Sequence, residues 1–251
     1  DFFIGPRILS NIAFPNKSFG LNGLRSLTKE AMQIQNIKEY STKFYQIYKR
    51  IKKSKGPVFI YSNFKEIGGI RSLVKFLNNH GYKNYKDSDV KLNKMMFAVW
   101  TGDETHSYKE EIKSFFNKKD NHDGSKIKIF LGTPSIKEGV SLLRVEQVHI
   151  LEPYWNLSRM KQIIGRAIRY CSHKDLSSKR RFVDIFLYLS TYPKVETVDQ
   201  YIWKLAKKKD KLISKFEIAL KEKAIDCSIF HSSNVYGDEE LNCENDLENF
   251  I

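Results

Sequence analysis

The feature that most constrains this chain is an alternation. Short apolar runs at Val58–Tyr61, Met96–Trp100, Lys126–Leu131, Gln147–Leu151 and Phe182–Leu189 are separated by segments with a helical period. Gly68–His80 puts Ile70, Leu73, Val74 and Leu77 on one face before Gly81 stops it. Ser107 opens the next helix, with Glu110 at capping-box spacing and Tyr108, Ile112, Phe115 and Phe116 on one face. Asn156–Tyr170 reads as a third helix. Strands apolar throughout have no polar face to turn to water, so the sheet must be covered on both sides. The expected fold class is therefore α/β, a parallel sheet flanked by helices.

The flanks are helical too. Thr28–Lys53 carries Ile34, Ile37, Phe44, Ile47, Tyr48 and Ile51 at helical spacing, ahead of a Lys-Ser-Lys-Gly-Pro break. Thr197–Ala224 reads as one long helix with Val198, Ile202, Leu205, Leu212, Phe216 and Leu220 inward and lysines outward. The expected division is a connecting segment and helix over 1–54, the α/β body over 55–192, a basic helix over 193–233 and a flexible acidic tail over 234–251. The chain opens on Asp1, which reads as a fragment of something longer.

Forty-three Lys and Arg against 29 Asp and Glu give a formal charge of +14. Such a surface concentrates polyanions, which makes nucleic acid the leading partner, although a Lys-rich composition alone produces the same number. No apolar run approaches the ~20 residues of a membrane span, so no membrane partner is expected. Cys171, Cys227 and Cys243 are too few and too scattered for a disulfide framework or a metal site, which points to free thiols and a reducing compartment.

In an open parallel sheet, ligands lie beyond the carboxyl ends of the strands. The loops there are Tyr61-Ser62-Asn63-Phe64-Lys65-Glu66-Ile67-Gly68-Gly69 and Gly132-Thr133-Pro134-Ser135-Ile136-Lys137-Glu138-Gly139-Val140-Ser141. Small hydroxyls, glycines and helix starts suit a phosphate, and equally suit ordinary turns. Gln162-Ile163-Ile164-Gly165-Arg166-Ala167-Ile168-Arg169 is sharper. On one continuous helix Gln162, Arg166 and Arg169 stand at i, i+4 and i+7, and a mid-helix Gly165 costs about 1 kcal/mol relative to Ala, as though something approaches that backbone.

These residues resemble the C-terminal RecA-like domain of a superfamily 2 helicase or translocase. Val58–Phe64 resembles motif IV, Leu131–Leu142 motif V and Gln162–Arg169 motif VI. The stretches YSNFKEIGG, GTPSIKEGVSL, HILEPYWNLSRMKQIIGRAIRYCSH and AIDC are similar to helicase-like ATPases of large cytoplasmic DNA viruses, typified by poxvirus nucleoside triphosphatase I and the early transcription factor small subunit.

The resemblance implies residue roles. Arg166 and Arg169 match arginines that reach the γ-phosphate, Gln162 and Gly139 match nucleotide-contacting positions, and Ser62, Asn63 and Thr133 match positions on the phosphodiester backbone. Lys109, seven residues after Gly102, stands where members often have Arg on the same track. Members commonly carry Asp two residues after the glycine of motif V; Ser141 stands there, so a ribose contact is not implied. The resemblance further implies ATP and Mg²⁺ held mainly by a preceding RecA-like domain, DNA rather than RNA as partner, viral RNA polymerase or transcription factors as associates, and a place in the virion and host cytoplasm.

No G-x-x-x-x-G-K-[ST] phosphate loop occurs in the sequence. Asp103-Glu104-Thr105-His106 looks like an acidic metal box, but it follows Thr101-Gly102 rather than the strand itself, and reads as turn and cap chemistry by Asp103 and Ser107. The expectation is the C-terminal half of an ATP-driven helicase or translocase in viral transcription, inactive by itself. Its rivals are a non-catalytic docking module for nucleic acid or polymerase, and a self-contained hydrolase on Asp103, Glu104 and His106.

Overall fold

The computed structural model describes residues 3–87, 95–137, 140–235 and 240–243. Among these residues six strands form one sheet: β1 (Val58–Tyr61), β2 (Lys83–Asn84), β3 (Met96–Trp100), β4 (Ile129–Gly132), β5 (Gln147–Ile150) and β6 (Asp184–Leu187). Their order is β2-β3-β4-β1-β5-β6 and every pair is parallel. Parallel pairing forces each connection to cross a face of the sheet, which is why a helix-period segment lies between most strands. The two-residue edge strand β2 carries no apolar run and was not anticipated.

Among the described residues ten α-helices accompany the sheet: α1 (Ile4–Asn11), α2 (Gly20–Ser26), α3 (Ile37–Tyr40), α4 (Thr42–Lys53), α5 (Ile70–Asn79), α6 (His106–Phe116), α7 (Leu157–Ile164), α8 (Val198–Glu222), α9 (Asp226–Ile229) and α10 (His231–Asn234). The period-2 pleat divides the strands between two cores. Val58, Ile60, Ile129 and Leu131 face α4 and α5 with Phe44, Ile47, Leu73 and Leu77. Phe59, Tyr61, Phe130, Val148 and Ile150 face α6 and α7 with Ile112, Phe116, Met160 and Ile163. Both sets are buried, so the central strands β1, β3 and β4 are almost wholly apolar, whereas β5 buries the polar Gln147 and His149 and the edge strands β2 and β6 are partly exposed.

Several expected boundaries move. The helix expected over Thr28–Lys53 is confined to α3 and α4, because Ser41 is extended and its Oγ accepts from Phe44 N at 3.1 Å, starting α4 afresh. The cap of α6 is Thr105 rather than Ser107, its Oγ1 accepting from Tyr108 N at 3.3 Å. Helix α8 carries the full capping box Thr197–Gln200. Its inward face was over-extended in the sequence reading: Ile202 and Ala206 are buried, whereas Leu212, Phe216 and Leu220 are 60, 66 and 56% exposed, since the helix runs past the edge of the body.

The cysteines need a further correction. Cys227 and Cys243 form a disulfide and only Cys171 is a free thiol. Residues 240–243 turn back onto the end of α8, with Asn242 N donating to Glu222 Oε1 and Leu241 O beside His231 Nε2, a long-range return that spacing does not encode. Of the acidic tail, 236–239 and 244–251 lie outside the described residues. No described helix is long and apolar enough to cross a membrane.

Candidate functional site

Because all strands run the same way, the loops after β1, β3, β4 and β5 gather at one edge of the sheet. Helix α7 approaches that edge. Asn156 caps it, Oδ1 accepting from Ser158 N at 2.7 Å, and it ends at Ile164. The expectation of one helix through Arg169 is therefore corrected: Gly165 is the C-cap, not a mid-helix residue, and the chain tightens into turns, Arg166 N donating to Ile163 O and Ala167 N to Ile164 O, both at 3.0 Å. A Cβ on Gly165 would meet only Lys161 O at 3.2 Å and Gln162 O at 3.5 Å, so no side chain of this domain demands glycine there.

The turns deliver the arginines to the loop after β4. Leu142 N donates to Arg166 O at 2.8 Å and Arg144 N to Ser172 O at 3.1 Å, sewing the two segments together. Arg169 Nη1 donates to Ser141 Oγ. Asn117 closes the loop from below, its Nδ2 donating to Ser141 O and its Oδ1 accepting from Leu143 N, each at 2.8 Å. Gln162 and Arg169 are exposed and Arg166 is half-buried. Gly139 lies outside the described residues. Beside Arg169, a cleft of about 400 Å³ is lined in part by His173, Lys174 and Arg181, with no acidic residue among the described residues of its wall.

The expected strand-contacting residues have different surroundings. Ser62 is fully buried and Thr133 nearly so, with Thr133 Oγ1 at 3.3 Å from Trp100 O and 3.1 Å from Ser135 Oγ. Asn63 is half-buried, and Lys109 is partly exposed with Nζ 5.7 Å from the Trp100 ring centre. Asp103 pairs with Lys65 and Glu104 with Lys86, so these two carboxylates of the DETH stretch are engaged by lysines.

Beneath the loop after β1 lies a buried polar system. Glu152, two residues past the end of β5, accepts from Ser62 Oγ at 3.1 Å, from Asn63 N and Asn63 Nδ2, and from Asn11 Nδ2 at 2.9 Å. Asn11 also donates to Gly68 O at 2.7 Å and accepts from Lys43 Nζ at 2.8 Å. Lys43 in turn pairs with Asp199 at 2.7 Å. Burial pushes the Glu152 carboxyl up, while Lys43 and the hydrogen bonds from Asn63 and Asn11 oppose that. Sequence reading missed this system. Its only local signal was an acid placed immediately after an apolar strand run.

With this geometry in view, comparison with known proteins is direct. A model of the helicase conserved C-terminal domain matches residues 42–171. The chain belongs to that helicase family. A putative ATP-dependent RNA helicase, R563 of Acanthamoeba polyphaga mimivirus, is 52% identical over 246 residues, covering 97% of this chain and 43% of that protein. Nucleoside triphosphatase I of Melanoplus sanguinipes entomopoxvirus is 28% identical over 238 residues, covering 92% of this chain and 34% of that protein. Among solved structures, the C-terminal part of the Fun30 ATPase domain superposes with a TM-score of 0.53 at 19% identity, over 74% of this chain and 51% of that one. That likeness establishes the fold, a RecA-like helicase C-terminal domain. The chain thus spans less than half the length of these two viral relatives. Its matched region leaves out Asn11 on one side and Asp199 on the other, so the buried system ties both flanks to the family's common core.

Proposed function

We propose that this helicase C-terminal domain is the second RecA-like half of a nucleoside-triphosphate-driven nucleic-acid helicase or translocase, working in the transcription of a large DNA virus. Arg166 and Arg169 are its arginine fingers. The observation that carries this reading is the seam in which Leu142 N meets Arg166 O and Arg169 meets Ser141 Oγ. It holds the Arg169 guanidinium and the backbone of Arg166 at the carboxyl edge of a parallel sheet, where positive charge stabilises a transferring phosphoryl group. The bare backbone at Gly165 and exposed Gln162 suit the approach of a polyphosphate. ATP with Mg²⁺ would be held mainly by a phosphate loop and acidic box outside this sequence, and the metal would neutralise charge on the phosphates. The body over 55–192 is the unit that closes on that partner, and the domain alone turns over little ATP.

The basic surface and the loops holding Asn63 and Lys109 form part of the strand track. Contacts to phosphates make binding sequence-independent and salt-sensitive. DNA is the favoured strand here, although relatives carry the name RNA helicase. The deciding experiment is Arg169→Ala in the intact protein. Turnover should fall by about 10³ or more with nucleic-acid affinity retained. Unchanged turnover would leave the docking-module reading standing instead.

A further inference from the structure

The loop after β1 is held in one conformation by groups that lie behind it. Asn63 is the informative residue. Its Oδ1 accepts from Tyr61 OH at 3.0 Å, and its Nδ2 donates to Glu152 Oε1 at 3.2 Å. Glu152 can only accept when ionised, and all four of its contacts are donors, so the amide of Asn63 has one permitted orientation. An amide nitrogen carries two hydrogens. One is taken by Glu152, and the second is left on a half-buried side chain at the sheet edge where a strand would run.

Glu152 is itself held from the far side. Asn11 Nδ2 donates to Oε2 at 2.9 Å and to Gly68 O at 2.7 Å, which spans the loop from its acid anchor to its last turn. From the same helix, the Arg7 guanidinium lies 4.9 Å from the Phe64 ring centre, and Ile8 packs so closely on Gly68 that an added Cβ there would come within 2.7 Å of Ile8 Cγ2. Helix α1 therefore backs the loop near both its ends, at Phe64 and at Gly68.

We propose that Glu152 and Asn11 are positioning residues for nucleic-acid binding: they aim the second amide hydrogen of Asn63 at a backbone phosphate. Helix α1, although outside the matched helicase region, becomes part of the grip. The inference rests on the functional reading above. Neither Glu152 nor Asn11 touches the strand, because both are buried.

Glu152→Gln tests it in the intact protein, since Gln presents N–H to a shell of donors and releases Asn63. Binding of a fluorescein-labelled single-stranded 20-mer, as DNA and as RNA, is followed by anisotropy across salt concentrations. Glu152→Gln and Asn63→Ala should each weaken binding about tenfold while leaving the slope of the salt dependence unchanged, because a neutral amide releases no counterion from a phosphate. The double variant should bind no worse than the weaker single, because both act through one hydrogen bond. Turnover at saturating strand should stay within about twofold, with the loss confined to the strand's KM. If Glu152→Gln fails to fold, Tyr61→Phe removes the other constraint on the amide at lower structural cost and should weaken binding about threefold. Additive losses, or a salt dependence lowered by a whole phosphate contact, overturn the assignment. A wild-type protein that binds neither strand overturns the functional reading together with it, whereas strong wild-type binding that Glu152→Gln leaves intact overturns this inference alone.

Discussion

Replacing Asp199 should cost this domain a large share of its stability. Lys43 is 3% exposed and Asp199 fully buried, with Nζ and Oδ2 2.7 Å apart. Asp199 Oδ2 also accepts from Ser190 N at 2.9 Å, while Oδ1 has no hydrogen-bond partner. Lys43 has one other acceptor, the neutral Asn11 Oδ1. Burial pulls the Lys43 pKa down, and Asp199 is the strongest influence holding it up. Removing the acid therefore leaves a buried ammonium with a single neutral partner, a situation that costs about 3–5 kcal/mol, out of a total stability of roughly 5–15 kcal/mol for a domain. Lys43→Met should cost a similar amount by stranding the carboxylate. The Lys43→Met/Asp199→Leu double variant removes both charges and should lose at least about 2 kcal/mol less than the two singles summed. Urea unfolding at neutral pH, followed by tryptophan fluorescence, measures all four proteins. Additive losses, or an Asp199→Leu loss below about 1 kcal/mol, would refute the claim that this pair pins α8 to α4 as a buried ionic unit.

Two further outcomes follow from the core. His149 is fully buried between Tyr188 OH at 2.7 Å and Gln147 Oε1 at 3.1 Å, and burial pulls its pKa from 6.5 to about 3. The unfolded chain takes up a proton there before the folded one does, so stability is full above pH 6.5 and is lost as pH falls toward 3, by at most about 1.4 kcal/mol per pH unit; urea midpoints at pH 7, 5.5 and 4.5 should fall more steeply in wild type than in His149→Gln. Glycines separate by surroundings: a Cβ on Gly69 would lie 1.8 Å from Phe64 O, whereas one on Gly102 meets nothing within 4 Å. Thermal unfolding should show Gly69→Ala losing more than about 3 kcal/mol and Gly102→Ala changing by no more than about 0.5 kcal/mol.

The central strands were legible because a parallel sheet buried on both faces leaves β1 and β3 no polar position to blur the pattern. Val58–Tyr61 and Met96–Trp100 match β1 and β3 residue for residue. Motif VI was legible as composition but not as shape. Periodicity alone carried the helix through Arg169, whereas the chain leaves it at Gly165 because the loop after β4 claims Arg166 O. The inward face of α8 was misjudged for a related reason. Leu212, Phe216 and Leu220 continue the stripe of Ile202 and Ala206, and a stripe does not say where the neighbouring body ends.

The sequence by itself therefore determined the layered α/β class, the family-bearing loops and the absence of a phosphate loop, since each is written in residues close together in the chain. Only the tertiary structure decided what those loops are fastened to. Asn11, Glu152 and Asp199 come from three distant stretches, and beyond the place of Glu152 after an apolar run nothing local distinguishes them from ordinary surface polar residues. Burial turns them into a single system, because a carboxylate or ammonium taken from water must find its partners wherever the fold has brought them.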